Sequence, residues 1–175
     1  MPEATSITTE HLTETFGPVV PGRPLVAADA IILDDRLKDE ERFPLGYSSD
    51  MSAGMDLYAC IDEPITLEPG ECKLIGTGVA IYLNNNSIVG LLTPRSGLGH
   101  KHGIVLGNLT GVIDADYQGE IKVSLWNRSN TVYTVQPMDR IAQYLVVPQF
   151  GLSLNFVDSF EQSGRGAGGF GSSGR

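Results

Sequence analysis

Short apolar runs separated by turn-forming residues follow one another along most of this chain. In chain order they are AIIL, CKLIGTGVAIYL, SIVGLL, GIVLGNL, IKVSLW and RIAQYLVVP, with Gly, Pro, Asn and Asp between them. Runs of this length that are rich in β-branched residues predict strands, and their spacing predicts an all-β domain. We expect a jelly-roll-like barrel or sandwich, with no more helix than a turn within Leu91 to Lys101.

The two ends of the chain depart from this pattern. Residues 1–27 are rich in Thr, Glu and Pro without a period, which predicts a flexible N-terminal extension. Residues 28–160 form the predicted β-domain, and residues 161–175 form a Gly-rich mobile arm. Closure of the arm would bring Arg165 to a phosphate and Phe170 to a planar base. The alternative interpretation of this composition is a disordered Gly/Ser tail.

Composition and charge limit the classes of protein that fit. A chain of 175 residues, 41% of them hydrophobic, suits one globular domain, and no apolar run is long enough to span a membrane. The net charge of -9 argues against a nucleic-acid-binding protein but permits a phosphorylated small ligand held by a few arginines and a divalent cation. Cys60 and Cys72 are predicted to be buried and reduced, with a disulfide as the alternative. The N-terminus carries no export or organelle signal, so we expect a cytoplasmic location.

The segment GNLTGVIDADYQGE, residues 107–120, places carboxylates between two apolar runs. Val112 and Ile113 favour a strand, and the segment is predicted to be a hairpin. Asp114 and Asp116 on such a rigid support suit acid–base catalysis. The alternative is that both aspartates only cap turns.

The segment PRSGLGHKHG, residues 94–103, has the composition of an anion-binding turn. Arg95 and Ser96 are predicted to contact phosphates, and Gly97 lets the backbone approach closely. His100 and His102 have no acidic or thiol partners nearby in the sequence. They are therefore predicted to be polar loop residues and not metal ligands.

Two shorter segments carry isolated polar residues. SAGMDLYA places Asp56 after a small-residue turn and just before a predicted strand, where the alternative interpretation is a strand-start aspartate. DRIAQYLVVP places Arg140 and Gln143 on a strand that is otherwise apolar enough to be buried. The polar ends of these two side chains therefore need partners.

Taken in order, AGMDL, PRSGLGHKHG, GVIDADYQGE, RIAQ and RGAGGFGSSG resemble the five motifs of the homotrimeric dUTPase family. They span residues 53–174, and the preceding AIILDDRLKDEERFPLGY is similar to the family's first strand. PRSGLGHKHGIVLGN is most similar to the bacterial and phage branch, and Gln118 stands where many members have arginine. The resemblance implies a homotrimer, with the C-terminal arm exchanged between subunits. It also implies Mg²⁺-assisted hydrolysis of dUTP to dUMP and pyrophosphate, which keeps uracil out of DNA and supplies dUMP for dTMP synthesis.

The resemblance also implies roles for individual residues. Asp114 would be the general base for a water that attacks the α-phosphorus, with Asp56 and Gln143 completing the catalytic set. Magnesium would be held mainly by phosphates and waters, with Asp56 acting through water. The implied phosphate contacts are Arg95, Ser96, Gly97, Gln143, Arg165, Gly171, Ser172 and Ser173. The implied uracil and deoxyribose contacts are Asn108, Gly111, Val112, Ile113, Asp114, Tyr117 and Phe170.

The same resemblance implies that each site is shared by three chains. Asp56, Arg95, Ser96 and Gln143 would come from one chain, residues 108–117 from a second and the arm from a third, so that a monomer is inactive. Two other functions remain open: a dCTP deaminase-like enzyme of the same fold and a dUTP-gated regulatory protein. The complete arm, and the lack of an evident glutamate placed for deamination, favour the hydrolase. A regulatory role would use residues 1–27 to bind a protein partner.

Overall fold

The computed structural model describes residues 26–167, and within them β-strands dominate. No helix in that range is long and apolar enough to cross a membrane. A 3-10 helix, η1, covers Asp35–Lys38, and one α-helix, α1, covers Ser96–His102. The strands are β1 (Asp29–Ile32), β2 (Met55–Tyr58), β3 (Ile65–Leu67), β4 (Cys72–Tyr82), β5 (Ile88–Pro94), β6 (Ile104–Leu106), β7 (Gly111–Ile113), β8 (Glu120–Asn127), β9 (Tyr133–Val135) and β10 (Arg140–Pro148).

The strands form two four-stranded antiparallel sheets and one two-stranded sheet. The first sheet has the order β1-β4-β8-β6, the second has the order β2-β10-β5-β7, and β3 pairs with β9. The predicted all-β fold is confirmed, and the predicted helical turn corresponds to α1. Each long apolar run of the sequence became a strand because its β-branched residues suit a pleated surface with at least one buried face.

Alternation along the strands builds the core between the sheets. In β8, Ile121, Val123 and Leu125 are almost fully buried, whereas Lys122 between them is exposed. Successive side chains of a strand point to opposite faces, so one face of β8 joins the core and the other does not. The largest fully buried side chains of the protein are Leu37, Leu57, Leu67, Ile75, Val79, Ile104, Leu106, Ile121, Val123, Leu125, Val135 and Ile141.

The prediction that residues 107–120 form a hairpin is wrong. β7 pairs with β5 in the second sheet, whereas β8 pairs with β4 and β6 in the first. A turn with a hydrogen bond from Tyr117 N–H to the Asp114 carbonyl, 3.1 Å long, lies between them. The two apolar runs belong to different sheets. The acidic segment between them is the connection that crosses from the second sheet to the first, and is named the crossing.

Asp56 and Cys72 also differ from their predicted surroundings. β2 begins at Met55, which pairs with Tyr144, so Asp56 lies inside the strand and not before it. Cys72 is exposed, because it shares the outward side of β4 with Leu74 while Ile75 and Thr77 face inward. Cys60 is partly buried, burial raises its pKa to about 12, and both thiols are free.

After β10 the chain leaves the sheets as an extended segment, residues 149–160, here named the apolar segment. It contains no strand, and its large side chains are exposed. Phe150, Leu152, Leu154 and Phe156 occur at every second position and are exposed by 92%, 83%, 65% and 89%. This alternation is typical of a half-buried strand, yet nothing in the described part of this chain covers it.

Candidate active site

A cluster of four polar side chains lies at one end of the second sheet. It is named the polar cluster and consists of Asp56, Arg95, Arg140 and Gln143. Asp56 on β2 pairs in register with Gln143 on β10, which pairs in turn with Thr93 on β5. Arg95 follows β5 directly and is the residue that precedes α1. Adjacent strands therefore bring together residues that are up to 87 positions apart (143 − 56 = 87).

Ion pairs hold the polar cluster in place. Arg95 Nε donates to Asp56 Oδ1 at 3.0 Å, and Arg140 Nη1 donates to Asp56 Oδ2 at 3.2 Å. The Asp56 side chain is only 14% exposed, compared with 29% for Arg95 and 50% for Arg140. Two guanidinium groups against one carboxylate leave a net positive charge on an otherwise acidic protein, which suits a polyphosphate.

Arg140 was missed as a site residue by the sequence analysis. The signal was present, because a polar side chain on an apolar strand requires a partner, but the sequence did not identify that partner. The partner is Asp56, which is the cross-strand neighbour of Gln143.

The start of α1 supplies main-chain donors beside the polar cluster. Arg95 occupies the N-cap position and makes no side-chain capping hydrogen bond. Ser96 and Gly97 are exposed, and no heavy atom lies within 4 Å of the position that a Cβ would take at Gly97. The predicted phosphate contacts Arg95, Ser96, Gly97 and Gln143 therefore lie together.

The residues predicted to bind uracil, and the predicted general base Asp114, lie elsewhere, on β7 and the turns beside it. Gly111 is buried against Leu92 of β5, and Val112 pairs with Leu91 and is 63% exposed. Asn108 and Asp114 are exposed, and Ile113 is partly buried. Within residues 26–167 the Asp114 carboxylate makes no hydrogen bond or ion pair, so it is available as a base.

Asp114 and Asp56 face the same side of the second sheet but do not meet. β10 and β5 lie between β2 and β7, and the register places Asp114 next to Val89, four residues from Thr93 along β5. Strand spacings of about 4.8 Å and rises of about 3.3 Å per residue then place the two aspartates roughly 20 Å apart. Asp114 is predicted to act on a water at the α-phosphorus and Asp56 on the waters of a magnesium ion held by the same triphosphate, so both must lie beside one nucleotide. The separation of the two aspartates within one chain is large for that arrangement.

An apolar surface separates these two aspartates on the outer face of the second sheet. By alternation this surface, named the outer patch, consists of Val89, Leu91, Val112, Leu145 and Val147, paired across β10, β5 and β7. Val112 is exposed, and the other four are only partly buried. An apolar patch flanked by polar groups marks an interaction surface.

The remaining predicted residues belong to the turn after β7 and to the arm. Tyr117 is 43% exposed, and its hydroxyl donates to the Glu120 carbonyl at 2.9 Å. Arg165 is exposed. Phe170, Gly171, Ser172 and Ser173 lie outside the described residues, so their predicted roles stay predictions.

The donor set of the described residues indicates how a metal could be held. Residues 26–167 contain no group of three or more His, Cys, Asp or Glu side chains that could hold a metal ion. Both oxygens of Asp56 are occupied by arginines. These residues fit Mg²⁺ bound through phosphates and waters, because magnesium keeps much of its hydration shell.

Comparison with known proteins gives one family. Residues 44–174 match the family model described as dUTPase. The deoxyuridine 5'-triphosphate nucleotidohydrolase of Idiomarina loihiensis is 55% identical over 144 residues, which cover 82% of this chain and 95% of that protein. The enzyme of the same name from a Psychrobacter species is 57% identical over 151 residues, covering 85% and 98%.

Solved structures of phage enzymes share the fold. The dUTPase of Staphylococcus bacteriophage 80alpha with dUPNHPP matches with a TM-score of 0.73 at 29% identity, covering 85% of this chain and 99% of that one. That structure is described as one in which phage dUTPases control transfer of virulence genes by a proto-oncogenic G protein-like mechanism. A mutant dUTPase from phage phi11, described as coordinating a structural Mg(II) ion, matches with a TM-score of 0.66 at 25% identity, covering 78% and 99%.

Proposed function

The chain belongs to the dUTPase family, and from that premise we propose that it hydrolyses dUTP to dUMP and pyrophosphate. The observation that carries this proposal is the polar cluster, a preformed cationic site beside free main-chain donors on a chain whose net charge is -9. The matches to the two bacterial deoxyuridine 5'-triphosphate nucleotidohydrolases extend over 95% and 98% of those enzymes. The cellular role is to keep uracil out of DNA and to supply dUMP, in the cytoplasm of a bacterial or phage-infected cell.

The working unit is a homotrimer with active sites shared between chains. The separation of roughly 20 Å between Asp56 and Asp114, from strand geometry, supports this assembly, because a second copy must supply the missing half. The outer patch lies between the two aspartates, where a second copy would cover it. The alternating apolar segment, which leads into the arm, supports an exchange between subunits, because a segment with this alternation gains a buried face when it packs on another subunit.

Asp114 acts as the general base. Its exposed carboxylate takes a proton from a water molecule as the water attacks the α-phosphorus, and pyrophosphate leaves on the opposite side. Arg95, the Ser96 and Gly97 region and Gln143 of a neighbouring chain bind the phosphates. Their fixed charges and donors stabilise the charge that develops on the departing oxygens.

Magnesium is the cofactor of this proposal, and when bound it would neutralise charge on the triphosphate. Asp56 would orient waters of the bound ion, because its two arginine contacts hold its carboxylate in one orientation. Arg165 and the residues of the arm at positions 170–173 close over the nucleotide and exclude water.

Base and sugar are selected by the turns beside β7. Main-chain groups near Asn108, Gly111, Val112 and Ile113 pair with uracil, and a cytosine would leave them unpaired at a cost of about 1–3 kcal/mol per group. Phe170 stacks on the base. Tyr117 lies against the deoxyribose and leaves no room for a 2′-hydroxyl.

A dUTP-gated regulatory function is the second candidate. The similarity to the phage 80alpha dUTPase, which is described as controlling transfer of virulence genes, favours it. A partner of this chain would bind residues 1–27, most of which lie outside the described residues and ahead of the family match at residue 44. This role is compatible with catalysis. Deamination of dCTP, in contrast, would require a glutamate placed for that reaction, and none is evident among the described site residues.

The test is pyrophosphate release from dUTP, dCTP, dTTP and UTP by the full chain, with magnesium and with EDTA. We expect release from dUTP alone, lost on chelation. Equal release from all four nucleotides would contradict the selectivity, and ammonia from dCTP would indicate the deaminase. Tight dUTP binding without release would favour the regulatory function.

A further inference from the structure

The crossing between β7 and β8 fixes the position of Tyr117. The ring of Tyr117 folds back over Gly119, and its hydroxyl donates to the carbonyl of Glu120 at 2.9 Å. A methyl group at Gly119 would lie 2.5 Å from Tyr117 Oη and 2.8 Å from Cζ. The ring can therefore occupy this place only because residue 119 has no side chain.

Glu120 is itself held from the opposite side by an irregularity in β4. The pairing of β4 with β8 shifts between Gly76 and Ala80, where four steps along β4 match two along β8. The Glu120 carboxylate fills this bulge: Gly78 N–H donates to Oε1 at 3.0 Å, and a Cβ at Gly76 would lie 2.5 Å from the same oxygen. Bulges occur beside active sites, where they redirect side chains.

The neighbouring contacts reinforce this arrangement. Buried Thr77 donates to the Ile121 carbonyl at 2.6 Å, which ties the bulge to the residue after Glu120. The Lys122 ammonium lies 3.6 Å from Glu120 Oε2. The Glu120 side chain is 27% exposed, although a glutamate at the start of a strand could equally extend into solvent. The bulge thus fixes the position of the Glu120 carbonyl, to which the Tyr117 hydroxyl donates.

We propose that Gly119 and Glu120 are positioning residues for sugar selection: the β4 bulge holds Glu120, Glu120 holds Tyr117, and Gly119 leaves the space that the ring needs. The inference rests on the proposed function, because it concerns the tyrosine that lies against the deoxyribose. Neither residue touches the reacting phosphate, so both act through Tyr117.

The expected kinetic effect follows from this indirect role. A contact with the sugar is made equally in the ground state and the transition state, so its loss raises KM more than it lowers kcat. A displaced ring also leaves room for a 2′-hydroxyl, so the variant discriminates less against UTP than the unmodified protein does. The ratio of kcat/KM for dUTP to that for UTP should therefore fall on the order of tenfold or more.

The experiment compares Gly119→Ala with Gly46→Ala in the full chain. Gly46 has a negative or extended φ and no heavy atom within 4 Å of the Cβ position, so its alanine variant is a matched control. We expect Gly119→Ala to raise the KM for dUTP and to lower the dUTP/UTP ratio, with a melting temperature close to that of Gly46→Ala. An unchanged ratio in an active Gly119→Ala protein would overturn the inference.

A second pair of variants tests the link to the bulge. Glu120→Ala should reproduce the loss of selectivity, whereas Glu120→Gln keeps an oxygen for Gly78 N–H and should preserve it. Gly76→Ala, which displaces the carboxylate from the β4 side, should resemble Glu120→Ala. Equal selectivity in Glu120→Ala and the unmodified protein would contradict the role of Glu120. If the unmodified protein fails to hydrolyse dUTP, the proposed function is wrong and this inference fails with it.

Discussion

The polar cluster and the segment that carries Asp114 share the outer face of one sheet, but they are organised differently. Asp56 is held by two arginines from separate elements, so this half of the site is preformed within one chain. Asp114 lies in an exposed turn, and within the described residues its carboxylate has no partner. A preformed half suits the binding of phosphates, since preorganised charges need no rearrangement during reaction. An unpaired carboxylate suits a base that acts only after another chain brings the substrate.

Asp114→Asn should give the largest effect. The amide cannot accept the proton of the attacking water, so kcat should fall by about 10²–10⁴. The polar cluster is untouched, so affinity for a non-hydrolysable dUTP analogue should change little. Single-turnover kinetics and calorimetric titration measure the two quantities. An Asp114→Asn protein that keeps full kcat would remove Asp114 as the base.

Leu152→Asp combined with Leu154→Asp should separate the chains. Both side chains are exposed in this chain, at 83% and 65%, so the monomer fold should survive. In an exchanged strand they would be buried, and burying unpaired carboxylates costs several kcal/mol, which weakens association by at least about a hundredfold.

Light scattering after gel filtration measures this dissociation. Ser153→Asp, on the alternate face of the same segment, is the matched control and should leave the trimer intact. A trimeric double variant would contradict the exchanged arm.

Arg95 and Arg140 should differ in importance although both bind Asp56. Arg95 is 29% exposed and directly precedes the free amides of α1, whereas Arg140 is 50% exposed. We expect Arg95→Gln to lower kcat/KM on the order of 10² and Arg140→Gln by about tenfold, because a more solvated charge contributes less. Steady-state kinetics of the two variants side by side would show this order, and the reverse order would mean that Arg140 is the main phosphate ligand.

Tyr144→Phe should have the smallest effect, because it changes the core behind both halves of the site. The hydroxyl is buried and has no hydrogen-bond partner in the described structure, and burial raises its pKa to about 12. Removing an unsatisfied hydroxyl, which costs about 1–3 kcal/mol, should keep or raise the free energy of unfolding near neutral pH, with kcat unchanged.

The pH dependence gives a second check on Tyr144. The unfolded tyrosine ionises near pH 10, whereas the folded one resists ionisation up to about pH 12, so its contribution to stability declines between these values. Tyr144→Phe should show a shallower decline in urea unfolding across that window. A variant less stable than the unmodified protein by several kcal/mol would contradict this account.

The sequence predicted the strands better than their connections. The runs that became β4, β5, β8 and β10 were visible because alternation and β-branched residues are local signals. The short β3 and β9 were missed, because three-residue strands leave almost no period. The pairing of β7 with β5 could not be predicted, since pairing between distant strands leaves no local trace in one sequence.

The same distinction between local residues and their distant partners applies to the candidate active site. The resemblance predicted that Asp56, Arg95 and Gln143 come from one chain and Asp114 from another, but only the strand register shows how β2, β10 and β5 bring the first three together. The ion pair between Arg140 and Asp56 joins residues 84 positions apart, and the tie from Tyr117 to the β4 bulge depends on a pairing irregularity that composition does not reveal.

The central claim is that each active site combines the polar cluster of one chain with Asp114 of another. Asp56→Asn and Asp114→Asn proteins, each inactive alone, would be mixed, unfolded and refolded together, and assayed for dUTP hydrolysis. Random assembly of symmetric trimers should restore about one site in four, because only sites that take Asp56 from one variant and Asp114 from the other are intact. A mixed population that forms trimers but stays inactive would mean that both aspartates act from the same chain, and the shared-site account would be wrong.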